Sequence, residues 1–260
     1  MDNILDKIIA NKRIEVAQQK SVISIAELAK KIIDTTNKYS FKESLLNSST
    51  GIISEFKRRS PSRGWIFENA RIEEVIPFYS KNGASAISVL TDLDFFGGTL
   101  ADLELARSIT ETPLLRKDFM IDEYQLYQAK IYGANAILLI ASALSVDETK
   151  QLAAKAKDLG LDVLLEIHNE KELDHINDKV DVVGVNNRNL STFVTDIQIS
   201  FDLVEKIPNE FVKISESGIS QPQTVIDLQG VGYRGFLMGE NFMKTDNPGK
   251  ALDDFIKQLK

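Results

Sequence analysis

The sequence predicts an α/β fold in which eight β-then-α units close into one parallel barrel behind an N-terminal helical extension. Three observations lead there. Eight short apolar runs punctuate the chain beyond residue 50. The segments between them carry helical periodicity, as in Glu148 to Leu159. No G-x-G-x-x-G follows any run, so an open dinucleotide-binding sheet lacks its fingerprint. Eight units in 260 residues suit a closed (β/α)8 TIM barrel, which typically takes about 250 residues.

Residues 1–50 read as helical. Ile4, Leu5, Ile8, Ile9 and Val16 recur near helical spacing, with Lys and Glu on the other positions. A second helix is expected over Ile25 to Ile33, with Ser24 as its N-cap. The eight candidate strands are Ile52–Phe56, Ala86–Leu90, Pro113–Lys117, Ala136–Ile140, Val163–Ile167, Val182–Asn186, Phe211–Ser215 and Gly235–Gly239. Gly83, Gly133 and Gly232 precede three of them, where a helix must end and turn into the next strand. No Gly-, Ser- or Pro-rich linker interrupts the pattern, so residues 1–260 are expected to form one domain, with 1–50 as its extension.

Composition excludes several classes of function. There is no long uncharged apolar run, hence no expected membrane span. The opening Met1 to Lys7 mixes charges and lacks a secretory apolar segment, which makes cytoplasm the expected location. With no cysteine there is no disulfide, no thiolate nucleophile and no Cys-based metal site. A formal net charge of −7 argues against a nucleic-acid surface. One segment runs against that balance: Lys57-Arg58-Arg59-Ser60-Pro61-Ser62-Arg63, which strand one feeds directly.

Barrel chemistry is built at the C-terminal strand ends, and residues two apart on a strand share a face. Ile53, Glu55 and Lys57 therefore point inward together, as do Leu115 with Lys117, Leu164 with Glu166, and Gly184 with Asn186 and Arg188. Strand seven offers Ser215 and Ser217. A single polar strand end is most simply a boundary. Two lysines, two carboxylates, an arginine and an asparagine converging on one mouth point instead to acid–base chemistry. Ser217-Gly218 after strand seven and Gly239-Glu240 after strand eight, with a short helix over Asn241 to Lys244, form a phosphate site of the kind barrels build there. His168 is assigned to the face opposite Glu166, toward the helical layer or loop, and it and His175 are read as structural or solvent-facing.

These residues resemble a known family. Ile53-Ser54-Glu55-Phe56-Lys57-Arg58-Arg59-Ser60-Pro61-Ser62-Arg63-Gly64 is similar to the signature of indole-3-glycerol-phosphate synthases. Further matches are Leu115-Arg116-Lys117-Asp118-Phe119, Gly184-Val185-Asn186-Asn187-Arg188-Asn189-Leu190, Ser215-Glu216-Ser217-Gly218-Ile219 and Met238-Gly239-Glu240. The opening Ile4-Leu5-Asp6-Lys7-Ile8-Ile9 with Lys12-Arg13 resembles the family's first helix. The resemblance covers nearly the whole chain, in order.

It implies a lyase of tryptophan biosynthesis that closes, decarboxylates and dehydrates 1-(2-carboxyphenylamino)-1-deoxyribulose 5-phosphate to indole-3-glycerol phosphate. By the same resemblance Lys117 is the general acid and Glu166 its acidic partner. Glu55 and Lys57 assist closure and dehydration, and Asn186 positions the intermediate. Ser60 and Arg188 contact polar groups of the substrate, and Phe96, Phe119, Leu138 and Leu190 form its apolar wall. Ser217, Gly218, Gly239 and Glu240 match the phosphate loops. Glu240 is the outlier there, since its carboxylate cannot face an anion and only its backbone N–H can help. Thr99 stands where a serine is common. No cofactor or metal is expected, because proton transfers suffice. The one expected partner is the small phosphorylated substrate. Oligomeric state is open, with a monomer the simplest case, and so is association with other pathway enzymes. No second enzyme is expected to be fused after strand eight and its helix.

Two other readings compete. Phosphoribosylanthranilate isomerase, another phosphate-binding barrel, lacks the long extension and typically uses a cysteine. A non-catalytic phosphometabolite-binding barrel needs only the anion loops, not Glu55, Lys57, Lys117, Glu166 and Asn186 as well.

Overall fold

Every one of the eight apolar runs is a strand of a closed barrel in a computed structural model that describes residues 3–259. Met1 and Asp2 of the mixed-charge opening, and Lys260, lie outside the described residues. The strands are β1 (Ile52–Phe56), β2 (Ala86–Leu90), β3 (Leu114–Lys117), β4 (Ala136–Ile140), β5 (Asp162–Ile167), β6 (Val182–Asn186), β7 (Val212–Glu216) and β8 (Gly235–Met238). All eight neighbouring pairs run parallel, and β8 returns to β1 through Ile52 opposite Phe236. Both faces of each strand are covered, which is why the runs are almost continuously apolar.

Alternation sorts the strand residues into two cores. Ile53, Ala86, Leu115, Leu138, Leu164, Ile214 and Leu237 fill the barrel interior. The residues that alternate with them along the strands, such as Ile52, Ile87, Val163 and Val183, pack under the helical ring. Helices α4 (Ile72–Lys81), α6 (Leu100–Ile109), α7 (Glu123–Ile131), α8 (Val146–Asp158), α10 (Pro222–Gly230) and α12 (Pro248–Lys257) supply most of that ring, with a six-residue α9 (Gln198–Leu203) and short 3₁₀ turns. Two further single turns, α5 (Leu93–Phe96) and α11 (Glu240–Met243), sit on the loops after β2 and β8.

The extension closes the barrel at both ends. Its first helix, α1 (Ile4–Val22), starts at a reciprocal cap between Asn3 and Asp6 and buries a stripe of Leu5, Ile8, Lys12 and Val16. Helix α2 (Ile25–Lys31) begins at the Ser24 cap the sequence predicts but stops two residues short of Ile33, which is fully solvated. Leu28 and Val16 pack on Tyr124 of α7. A third helix, α3 (Phe41–Leu46), inserts Phe41 and Leu45 into the bottom of the interior core, where neither is solvent-exposed. Asp162 at the start of β5 fastens this plug, accepting hydrogen bonds from Phe41 N at 2.8 Å and Ser40 Oγ at 2.9 Å.

Candidate active site

The barrel mouth holds a chain of alternating charges. At its centre Lys117 Nζ, from the end of β3, donates to Glu166 Oε2 of β5 at 2.9 Å and to Glu216 Oε2 of β7 at 3.2 Å. On β1, Lys57 Nζ stands 2.6 Å from Glu55 Oε1, and Ser88 Oγ reaches the other Glu55 oxygen at 3.5 Å. Burial opposes the Lys117 charge, but Glu166, Glu216 and Glu55 outweigh it and hold the ammonium above the usual lysine range. The two carboxylates sharing that ammonium part company. Burial also opposes the Glu166 charge, yet Lys117 and His168 drive its titration below the ordinary range. Glu216 is pushed up to about 7 by burial, with Lys117 pulling it down and Glu166 adding repulsion.

Around these charges is an apolar wall. Phe96 and Phe119 face each other with ring centroids 5.9 Å apart, and Leu138, Ile140 and Leu190 continue the surface. The rim comes from α1, through Ile4, Leu5 and Ile8. Next to this apolar hollow lies a polar one between the loops after β7 and β8, lined by Lys57, Arg63, Arg188, Ser217, Gly218 and Gly239. Ser217 and Gly218 both adopt left-handed backbone conformations, φ 66° and 77°. For Ser217 that conformation carries a cost, of order 1–3 kcal/mol, and such strain concentrates at working sites.

A family model described as indole-3-glycerol phosphate synthase matches residues 5–255. The chain belongs to the indole-3-glycerol phosphate synthase family. It is 54% identical over its full length to the indole-3-glycerol phosphate synthase of Bacteroides thetaiotaomicron, all of which is covered. It is 42% identical to the Prochlorococcus marinus enzyme, with 99% of this chain and 90% of that one covered. Among solved structures, a mutant tryptophan synthase α-subunit from Pyrococcus furiosus superposes with a TM-score of 0.61 at 14% identity, over 82% of this chain and 98% of that one. At that identity the likeness concerns the barrel alone. As a member of the synthase family the chain is a carboxy-lyase of tryptophan biosynthesis.

Within this synthase framework, every site residue that the family resemblance implies lies at the mouth. Glu55, Lys57, Ser60, Phe96, Lys117, Phe119, Leu138, Glu166, Asn186, Arg188, Leu190 and Ser217 border the apolar hollow. Gly218, Gly239 and Glu240 border the polar one. The basic segment after β1 is divided in its use. Arg58 points away and grips Asp102 of α6 with two bonds of 2.8 Å, so it braces the loop, while Lys57 and Arg63 face the cavity. Arg188 spans the entrance, donating to Ser62 Oγ at 3.1 Å, and Asn186 Oδ1 accepts from the Arg188 backbone N–H at 3.0 Å. The Glu240 carboxylate, on the border of that hollow, pairs with Arg63 at 3.2 Å and Arg188 at 3.7 Å.

Two expectations need correction. Ser215 does not face the mouth. Val212, Ile214 and Glu216 are the inward residues of β7, whereas Ser215 Oγ sits in the helical layer, 2.8 Å from Ser200 Oγ and 3.0 Å from Asn187 Nδ2. Glu216 is therefore a site residue the parity assignment missed, though it stands inside the quoted Ser215-Glu216-Ser217-Gly218-Ile219 motif. His168 is not on the face opposite Glu166 either; its Nε2 lies 3.3 Å from Glu166 Oε1. His175 is structural, its Nδ1 2.8 Å from Thr149 Oγ1.

Gly184 makes room for Glu216. A Cβ at this position lands 2.4 Å from Glu216 Oε1 and 3.1 Å from Leu164 Cδ1. The first neighbour is the free end of a side chain, so Gly184→Ala is expected to fold but to push the carboxylate off Lys117. An ångström-scale misplacement costs up to about 10²-fold in turnover. Steady-state kinetics beside a thermal melt check this: wild-type kcat in the folded variant would remove Glu216 from the working set.

Proposed function

We propose that this mouth closes the indole ring of 1-(2-carboxyphenylamino)-1-deoxyribulose 5-phosphate with Lys117 as the general acid. The observation that carries the reading is the placement of Lys117 Nζ, buried under the apolar wall with two of its three protons committed to Glu166 and Glu216. The third is available to a substrate carbonyl. As the ring carbon bearing the carboxylate attacks that carbonyl, the new C–C bond places charge on the oxygen, and Lys117 protonates it. Carbon dioxide then leaves, and the electrons of the broken bond restore the aromatic ring.

Loss of water needs an acid at the new hydroxyl and a base for the remaining proton. The Glu55–Lys57 pair on β1 supplies both. Asn186 Oδ1 is held by the Arg188 backbone, so its amide N–H groups are the part that orients the intermediate. The polar hollow between the last two loops takes the phosphate, with Arg63, Arg188 and Lys57 near it, and the Phe96–Phe119 wall takes the aromatic ring. Fixing both ends aligns the ring carbon with the carbonyl.

The whole of residues 1–260 acts as one domain, because α1 lends Ile4, Leu5 and Ile8 to the pocket rim. One chain supplies every group invoked, so a monomer suffices. Among the described residues no helix is long and apolar enough to cross a membrane, and the cytoplasm is the proposed location. Purified protein mixed with the carboxyphenylamino substrate is expected to develop indole fluorescence. No rise, or a Lys117→Ala variant as fast as the wild type, would overturn the reading.

A further inference from the structure

We infer that His168 is a positioning residue for the Lys117–Glu166 pair, its ring clamped between Glu166 and a second carboxylate, Glu172, outside the barrel. The inference rests on the proposed role of Lys117. His168 is the first residue past β5, and its ring is largely buried beside Glu166. Nε2 lies 3.3 Å from Glu166 Oε1 and Nδ1 lies 3.2 Å from Glu172 Oε2. Glu172 is itself tied down: its Oε2 also accepts from the His168 backbone N–H at 2.7 Å, and its Oε1 accepts from Asn169 Nδ2 at 2.8 Å. Among the described residues, Glu166 and Glu172 are the carboxylates within 4 Å of the ring nitrogens.

The chemistry of an imidazole decides what such a ring does. A neutral ring carries one N–H and one lone pair, so one of two flanking carboxylates would face a lone pair. Carboxylates on both sides call for an N–H on both nitrogens, and hence for an imidazolium. Burial opposes that charge, but Glu166 and Glu172 outweigh it and push the titration of His168 up to about 10.

With Oε1 engaged by His168, the other oxygen of Glu166 stays aimed at Lys117 Nζ, and the carboxylate stays ionised. Take the ring away and Oε1 loses its cation, so the Glu166 group is free to turn, and its titration rises toward the ordinary carboxylate range. The rise matters because a protonated Glu166 no longer holds the acid. His168 touches no substrate in this account. It acts through Glu166 alone.

The experiment compares His168→Gln, His168→Phe, Glu172→Gln and Lys117→Ala across pH in the indole-fluorescence assay, with melting temperatures measured alongside. For His168→Gln the expected result is a kcat lower on the order of tenfold, with KM nearly unchanged. The acid limb of its kcat profile should move to higher pH. His168→Phe should lose more than Gln, and Glu172→Gln should shift the limb in the same direction by less. A merely structural histidine lowers the melting temperature without moving that limb. If Lys117→Ala is inactive while His168→Gln and Glu172→Gln keep the wild-type kcat and acid limb, the inference fails and the Lys117 reading stands. If Lys117→Ala is active, the reading beneath both fails. Should His168→Phe not fold, the two glutamine variants decide alone.

Discussion

Replacing Lys117 by alanine is expected to lower kcat by about 10²- to 10⁴-fold, the usual contribution of a positioned general acid, while KM moves far less. The reason for the split is that the ammonium meets the substrate most strongly when charge appears on the carbonyl oxygen. An interaction made in the transition state alone lowers kcat and kcat/KM together. The vacancy also has an electrostatic consequence. Glu166 and Glu216, which share the ammonium at 2.9 and 3.2 Å, are left as like charges in a buried site. One proton should then settle on the pair near neutral pH, and Glu216, already pushed up to about 7, is the group placed to take it. Proton uptake on folding, measured from the pH dependence of stability, should therefore rise in the variant. A Lys117→Ala enzyme with wild-type kcat would remove the general acid from β3 and leave Lys57 as the remaining candidate.

How much of this was legible beforehand varies with the residue. The strands were, since burial on both faces makes each an apolar run bounded by turn residues. On β1, β3 and β5 the alternation also carries Glu55, Lys117 and Glu166 to the mouth, because each follows an apolar inward partner two positions earlier; on β6 Asn186 follows Gly184 and, two positions before that, the inward Val182. On β7 that cue fails. Its outward residues are Lys213, whose Nζ donates to the Val204 carbonyl at 2.7 Å, and Ser215, so the helical layer holds polar groups too. With polar residues on both faces, polarity does not tell inward from outward, and nothing in the pattern favours Glu216 over Ser215. His168 stands two positions beyond Glu166, so alternation carried past the strand end places it on the same side, where the ring in fact lies. What no pattern in the sequence announces is Glu172, which only the turn after β5 brings alongside.

Lys12 is the least legible residue, because a lysine on a helix in a charged chain looks like part of a solvated face. Here it is fully buried, with Nζ 2.7 Å from Glu15, 3.0 Å from Asp92 and 3.0 Å from Asp118. Asp92 caps α5 through one oxygen, while the other meets the Lys12 ammonium and has no hydrogen-bond donor besides. Asp118 is better supplied, by Arg116 at 2.9 Å and Thr91 at 2.6 Å. Removing one partner of a buried ion cluster strands the other charges, so Lys12→Met, similar in length and uncharged, is expected to cost about 3–5 kcal/mol at neutral pH.

The pH dependence follows from the signs. Burial opposes the Asp118 charge, but Arg116 and Lys12 hold its titration below the ordinary aspartate range. A depressed carboxylate contributes stability above its unfolded value and loses it as pH falls through the folded one. Burial opposes the Lys12 charge as well, and Asp118 and Asp92 raise its titration above the ordinary lysine range. A raised cation contributes stability below its unfolded value, and that contribution persists through neutral pH. The gap between wild type and Lys12→Met should therefore be widest near neutrality and should narrow in acid, because Asp118 without the ammonium takes up a proton at a higher pH than it does in the wild type. Urea unfolding at pH 7 and again near pH 4 tests this, and a small gap that does not change with pH would mean the cluster merely offsets its own burial. Catalysis is tied to the same cluster. Asp118 directly follows Lys117, and α1 carries Ile4, Leu5 and Ile8 to the pocket rim, so loosening Lys12 should raise KM for the substrate before it affects kcat.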